Sequence, residues 1–308
     1  MGVMYMEMKE LGFIGLGKMG SNIVLQLLGK GYRVVVYNRT QEKMQDCVKA
    51  GAIPSKSIHE MVGKLSSKRK VVWVMLSAEA TSANVEELCG HLSEGDIVVD
   101  GSNSYYKESI RISESLKNRK IQYVDAGCSG GPSGALHGMC IMAGGDKETF
   151  SYLKQLFADC TVPEGLLYTG PAGSGHFVKM VHNAIEYGMM QSLSEGLELL
   201  NGGPFKGLDI SSICNLWDHG SVIEGKLVRL AALALNGDNE LKGIAPYVED
   251  TGEGRWSVIT AMEHDIPAAS ISFALFNRFK SRSDTRYSDR VLAALRHQFG
   301  QHEVKKLE

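Results

Sequence analysis

An α/β domain followed by an all-α domain is the fold class the sequence predicts, and three observations predict it. The chain has 308 residues, about twice the ordinary length of one domain, so two are expected. From Glu10 to about Tyr168 short β-branched runs alternate with amphipathic stretches, the pattern of βαβ units around a parallel sheet. After Gly170-Pro171 apolar residues recur at three- and four-residue spacing almost to the end, which reads as helix. The expected division is 1–170 and 171–308.

The strand candidates in order are Leu11–Gly15, Arg33–Tyr37, Val71–Leu76, Ile97–Asp100, Gln122–Asp125 and Cys140–Ala143, each short, apolar and bounded by turn residues. Between them Met19–Gly29, Ser57–Leu65 and Glu148–Phe157 read as helices, the second opened by a Ser57/Glu60 capping pair. In the second half Gly202-Gly203-Pro204, Asn236-Gly237-Asp238 and Pro267 mark breaks between helices.

Composition narrows the function classes. With 33 Lys plus Arg against 35 Asp plus Glu, a net charge of -2 and 44% hydrophobic content, the chain has no basic field suited to nucleic acid or an anionic membrane. No run approaches the roughly 20 apolar residues that cross a bilayer, and no signal-type segment opens the sequence, so a cytoplasmic location is expected. Six cysteines without a CxxC pair read as free, mostly buried thiols. His59-Glu60 lacks the second histidine of HExxH, and no metal site is expected.

Gly15-Leu16-Gly17-Lys18-Met19-Gly20 follows a strand and opens a helix, the setting of a Rossmann-type dinucleotide loop. Its glycines allow a tight turn and close approach of a pyrophosphate to free N–H groups at the helix start. At the end of the next strand an NAD site usually places a carboxylate, whereas this chain has Asn38-Arg39-Thr40. A guanidinium and a hydroxyl suit a 2'-phosphate, so NADP is expected, with NAD as the alternative if Arg39 is a surface residue and Thr40 a helix cap.

Two further stretches carry chemistry. Gly127-Cys128-Ser129-Gly130-Gly131 spells the G-x-S-x-G of a hydrolase elbow, but Gly130, Gly131 and Pro132 are poor residues with which to continue a helix. A wall of a substrate pocket beside the nicotinamide, with Ser129 and nearby amides as donors, is the better reading. From Gly175 to about Leu200 one long helix is expected, on which Lys179, His182, Asn183, Glu186 and Tyr187 share an arc of about 140°. Phe177, Val178, Met180, Val181, Ile185 and Met189 occupy the other side. That polar arc is either a solvated face or a site holding a base, an acid and three hydrogen-bonding groups.

The stretch Gly175-His176-Phe177-Val178-Lys179-Met180-Val181-His182-Asn183-Ala184-Ile185-Glu186-Tyr187-Gly188 closely resembles the signature helix of decarboxylating 6-phosphogluconate dehydrogenases. Gly101-Ser102-Asn103-Ser104, Ser129-Gly130-Gly131 and the glycine loop resemble that family's other landmarks in the same order. The wider β-hydroxyacid dehydrogenase superfamily shares the glycines and the lysine but usually has Asn-Asn at His182-Asn183, and generally lacks the Glu-Tyr pair. Arg296-His297-Gln298-Phe299-Gly300-Gln301-His302 resembles the family's R-x-x-F-G-x-H tail, and Gly254-Arg255-Trp256-Ser257 its G-K-W-T segment with arginine for lysine. Many family members are about half as long again, so this chain resembles a short branch.

The resemblance implies oxidation of 6-phosphogluconate at C3 by NADP, loss of CO2 and formation of ribulose 5-phosphate, the reaction of the pentose phosphate pathway. Lys179 would be the base and Glu186 the acid, with the lysine lowered from its ordinary pKa of about 10.4 toward about 7–8 by burial. Gly15, Gly17, Lys18, Met19, Gly20, Asn38, Arg39, Thr40 and Asn103 would line the cofactor. Asn103, Ser129, Gly130, Gly131, His182 and Asn183 would orient hydroxyls and carboxylate, and Tyr187, Arg255, Ser257, Arg278, Arg296 and His302 would hold the phosphate. In the family the tail arginine and histidine reach a neighbouring subunit's site, implying a homodimer or homotetramer. A reductase of small β-hydroxy acids or semialdehydes, sharing fold and lysine, and a non-catalytic NADP-binding regulator stand as rival readings.

Overall fold

The computed structural model describes residues 9–283, 286–301 and 303–305, with 299 and 300 described by backbone alone. By density of contacts the chain divides into two units, one running to His182 and the other beginning at Asn183. The first contains β1 (Glu10–Ile14), α1 (Lys18–Gly29), β2 (Arg33–Tyr37), α2 (Gln45–Lys49), β3 (Ile53–Pro54), α3 (Ile58–Gly63), β4 (Val71–Val74), α4 (Ala78–Cys89), β5 (Ile97–Asp100), α5 (Tyr106–Lys117), β6 (Gln122–Ser129), α6 (Gly131–His137), β7 (Met139–Gly145), α7 (Lys147–Asp159) and β8 (Thr161–Gly170).

The strands form one sheet in the order β3-β2-β1-β4-β5-β6-β7-β8. The sheet is parallel, as expected, except at one junction, where β6 and β7 run antiparallel. Between them lies only the short α6, and a parallel crossover needs a dozen or more residues. A short helix does follow Ser129 and Gly130 despite the poor helix-formers there: Pro132 is its second residue, where a missing N–H costs no intrahelical bond. Two strands escaped the sequence pattern. The two-residue β3 has no periodicity, and the edge strand β8 is interrupted by Pro163 and by Glu164 at φ +62°.

The core follows from alternation along the strands. Leu11, Phe13, Val34, Val36, Val71, Trp73, Ile97 and Val99 pack on one face, and Ile14, Val35, Val72, Val74 and Val98 on the other. Apolar cover on both faces is what a buried sheet requires. Trp73 anchors its face, meeting Phe157 edge-on at 5.6 Å. The predicted cap of α3 forms, the Glu60 N–H donating to Ser57 Oγ at 3.1 Å, while the Glu60 carboxylate accepts from the Lys56 N–H.

Helix α8 (Ser174–Gly202) starts in the first unit and continues into the second, which adds α9 (Ile210–Trp217), α10 (Lys226–Ala234), α11 (Glu253–Glu263), α12 (Ala269–Lys280) and α13 (Tyr287–Gly300). Its apolar cluster centres on Ile210, Cys214, Val228 and Leu235, between α9 and α10. Asp209 caps α9, accepting from the Ser212 N–H at 3.0 Å. Among the described residues no helix is long and apolar enough to cross a membrane.

Candidate active site

Because β1, β2, β4, β5 and β6 run parallel, the loops after them share one edge of the sheet. That edge receives the glycine loop, Asn38, Asn103 and Ser129, and it is where open α/β sheets bind ligands. The three loop glycines divide the work. A Cβ on Gly15, which has φ +97°, would collide with the Met75 backbone oxygen, and one on Gly20 with the Gly15 oxygen. A Cβ on Gly17 meets nothing within 4 Å. Gly15 and Gly20 are therefore glycines for the chain's own packing, whereas Gly17 keeps a space open in front of α1. Gly17 is also the N-cap of α1 and offers no side-chain cap, so the helix presents its first amides outward. This cradle fits a dinucleotide pyrophosphate.

Asn38 ties the second strand to the loop: its Oδ1 accepts the Leu16 N–H at 2.9 Å and its Nδ2 donates to the Thr40 oxygen at 2.7 Å. Lys18, Arg39, Thr40 and Asn103 are exposed and Met19 is half-buried. Beyond β5, Ser102 is buried, bonded to Asp100 Oδ1 through its N–H and to Thr81 through its hydroxyl.

The start of α8 lies directly on β6 and β7. Gly175 has no room for a side chain, since a Cβ would stand 2.5 Å from both the Asp125 and Met142 oxygens. Asp125, fully buried on β6, accepts the Gly173 N–H at 2.7 Å and the His176 N–H at 2.8 Å, satisfying donors that a helix start leaves open. His176 is buried too, its Nδ1 2.7 Å from Ser109 Oγ. One turn on, a Cβ on Gly127 would stand 2.5 Å from the Lys179 Cβ, so this glycine sets the closeness of the lysine to the strand. Ser129 Oγ lies 3.2 Å from His182 Nε2. The positive φ of this turn falls on Gly130 and Gly131, not on Ser129, unlike a strained nucleophile. Burial pushes the neighbouring Cys128 thiol up to about 12, with Lys179 pulling weakly the other way.

In the second unit the start of α11 packs on α8. Asn183 Nδ2 donates to Glu253 Oε1 at 2.6 Å, and Thr251 Oγ1 donates to Glu253 Oε2 at 2.6 Å. The Thr251 N–H donates to the Tyr187 hydroxyl at 3.3 Å. Arg278 stacks on the Tyr187 ring, 3.5 Å from its centroid, and donates to the Glu249 oxygen. Arg255 makes a two-point pair with Asp250, at 2.8 and 3.1 Å, and Arg282 pairs with the same carboxylate. Those guanidiniums, Arg255 first, hold the Asp250 carboxyl down at about 2 against the opposing effect of burial. Ser257 is buried on α11.

Burial on α8 differs from the simplest reading of its periodicity. Met180, Ala184 and Tyr187 are buried, while Ile185 and Met189, both expected on the apolar side, are more than half exposed. Lys179, His182, Asn183 and Glu186 are all half-buried, so the polar arc is not a plain solvated face. Gly130 is half-buried and Gly131 exposed. Arg296 is exposed on α13, and His302 lies outside the described residues. Asp125 and Glu253 were missed from sequence. A lone acid beside a strand or at a helix start carries no distinctive pattern, and only burial sets these two apart. Among the described residues no group of three or more histidine, cysteine or acidic side chains forms a metal site.

Comparison with known proteins gives the same picture. Residues 10–168 match the family model described as the NAD binding domain of 6-phosphogluconate dehydrogenase, and residues 175–308 match that enzyme's C-terminal domain. A Haloferax volcanii protein named 6-phosphogluconate dehydrogenase, NAD(+)-dependent, decarboxylating, is 38% identical over 300 residues, covering 96% of this chain and 99% of its own. The decarboxylating 6-phosphogluconate dehydrogenase of Bacillus licheniformis is 35% identical, covering 92% of this chain and 64% of its own. Among solved structures, Plasmodium falciparum 6-phosphogluconate dehydrogenase, solved apo, with NADP+ and with 6-phosphogluconate, superimposes with a TM-score of 0.79 at 28% identity, covering 97% of this chain and 67% of that one. A 3-hydroxyisobutyrate dehydrogenase from Mycobacterium tuberculosis shares the fold at a TM-score of 0.72 and 18% identity. With family models covering both halves and a full-length relative at this identity, the chain belongs to the 6-phosphogluconate dehydrogenase family.

Proposed function

We propose that the protein oxidatively decarboxylates 6-phospho-D-gluconate to D-ribulose 5-phosphate and CO2, with Lys179 as base and Glu186 as acid. The observation that carries this reading is the seating of Lys179, its Cβ held against Gly127 at the ligand-binding edge of the sheet. NAD(P), when bound in the glycine cradle, supplies the acceptor for the C3 hydride. Lys179 takes the C3 hydroxyl proton as that hydride leaves, then returns it to the C3 oxygen as the carboxylate departs, so negative charge is never left uncompensated. Glu186, seven residues on and so about two turns along α8, protonates C1 of the enediol while the neutral Lys179 takes back the proton of the former C3 hydroxyl, which closes the ketone of ribulose 5-phosphate. Asn103, Ser129, Gly130, Gly131, His182 and Asn183 hold hydroxyls and carboxylate, while Tyr187, Arg255, Ser257, Arg278, Arg296 and His302 take the phosphate.

Arg39 and Thr40, exposed after β2 where a carboxylate would repel a 2'-phosphate, favour NADP over NAD. The ratio of kcat/KM for the two cofactors tests that preference, and a higher value with NAD would overturn it. Lys179→Ala should abolish formation of reduced cofactor and release of CO2 from 6-phosphogluconate, and near-wild-type turnover would end the base assignment.

The working form is a homo-oligomer in which Arg296 of one chain completes the site of another. Exposure supports this: Leu233, Met262, Phe273 and Phe276 are all more than half exposed in the second unit, apolar surface that a second copy would cover.

A further inference from the structure

We propose that Glu253 is a positioning residue of the substrate site, its carboxylate fixing which way the Asn183 amide faces. This rests on the reading of Asn183 as a substrate ligand and extends it to a residue that touches Asn183 rather than the sugar.

An acid in the first turn of a helix ordinarily faces the helix's own amides and gains from its dipole. Glu253, the first residue of α11, does something else. It is 3% exposed, and both carboxylate oxygens receive side-chain donors, Oε1 from Asn183 and Oε2 from Thr251. An acid buried to that degree needs such partners. The bond to Asn183 crosses 70 residues of sequence, so it sets a tertiary relationship rather than a local turn.

An asparagine side chain has two nearly equal shapes, with the amide nitrogen and oxygen exchanged, and only its partners distinguish them. An ionised carboxylate accepts and cannot donate. Turning the Asn183 amide over would set Oδ1 against Oε1, acceptor on acceptor. Glu253 therefore allows one orientation, with Nδ2 toward α11 and Oδ1 on the opposite side. The same helix start packs Gly254 on the Tyr187 ring, where a Cβ would be only 2.9 Å from Cε2, so a neighbouring predicted ligand is held by the same element.

Glu253→Gln tests the idea with little change of shape. Glutamine can accept or donate, so it no longer dictates the Asn183 orientation. Steady-state kinetics on the full-length protein should show kcat/KM for 6-phosphogluconate falling by about 10- to 100-fold, with the cofactor KM within about two-fold, the size of one hydrogen bond to a charged group. Glu253→Asp, which keeps the charge but withdraws it by one methylene, should behave alike and covers the case in which the glutamine variant folds poorly. In an Asn183→Ala background Glu253→Gln should cost nothing further. An equal loss in both backgrounds, or wild-type kinetics for both Glu253 variants beside a damaged Asn183→Ala, would overturn the proposal while leaving Asn183 as a ligand. Wild-type kinetics in Asn183→Ala alone would instead overturn the ligand reading, and this inference with it.

Discussion

Gly127→Ala is the most quantitative test of how the fold seats Lys179, the proposed base. The new methyl would stand 2.5 Å from the Lys179 Cβ, 2.9 Å from the Gly175 oxygen and 3.1 Å from the Lys179 Cγ. Carbon atoms in contact sit about 3.5–4.0 Å apart, so the start of α8 must retreat by about 1 Å. Gly175 cannot yield toward the sheet, because it already lies against two backbone oxygens. A displacement of that size at a reacting group costs on the order of 100-fold in rate, and overpacking costs about 1–3 kcal/mol of stability. The assay is initial-rate formation of reduced cofactor with 6-phosphogluconate, beside urea unfolding of the same samples. The matched control is Gly188→Ala on the same helix, where a Cβ meets nothing within 4 Å. That variant should keep its activity and gain up to about 0.5–1 kcal/mol from the reduced backbone entropy of the unfolded chain. Wild-type kcat and an unchanged urea midpoint in Gly127→Ala would refute the claim that this contact positions the lysine.

Three other outcomes are expected. Gly17→Ala should fold normally yet raise the cofactor KM about ten-fold or more with little change in the substrate KM, because its methyl enters space that the chain itself does not use; an unchanged cofactor KM would remove the pyrophosphate from that place. Asp250 titrates at about 2 in the folded protein and near 3.8 when unperturbed, so its pairing with Arg255 and Arg282 stabilises the fold fully above about pH 4 and is lost as pH falls through about 2. Asp250→Asn should therefore lower Tm at pH 7 and converge on the wild type in acid, and a constant gap across that range would contradict the pairing. Iodoacetamide at neutral pH should label the exposed Cys140 well before Cys128, whose thiol is pushed up to about 12; equal rates by mass spectrometry would refute the assigned burial.

Legibility from sequence tracked the physical origin of each feature. The expected bounds of Arg33–Tyr37 and Ile97–Asp100 match the strands to the residue, because each holds a buried run of three β-branched residues. The last residues of β6 were not, since Gly127, Cys128 and Ser129 have little strand preference and are held there by pairing with β7. The polar arc of α8 was legible from the helical period alone. What that period could not show was which arc the chain buries, since Ile185 and Met189 face outward in a single copy. For Arg255, expected as a phosphate ligand, nothing in the residue pattern marks the carboxylate five residues earlier that already holds it.

The buried acids of the two units sort themselves by what their oxygens do. Asp125 holds two amides at the start of α8, Glu253 holds Asn183 and Thr251, and Asp250 holds two guanidiniums. Each is almost wholly excluded from solvent, and each has both oxygens committed to donors of the protein itself. Such carboxylates build geometry: among the donors they fix are Asn183 and Arg255, both proposed to touch substrate, and the turn that leads to Lys179, the proposed base. A group that delivers a proton to carbon must instead reach a ligand. Glu186, half-buried on the same arc as Lys179 and His182, is the acid proposed for that task. Replacing it with glutamine should therefore spare hydride transfer far more than product formation, a split that a positioning acid would not produce: its loss would disturb both steps together.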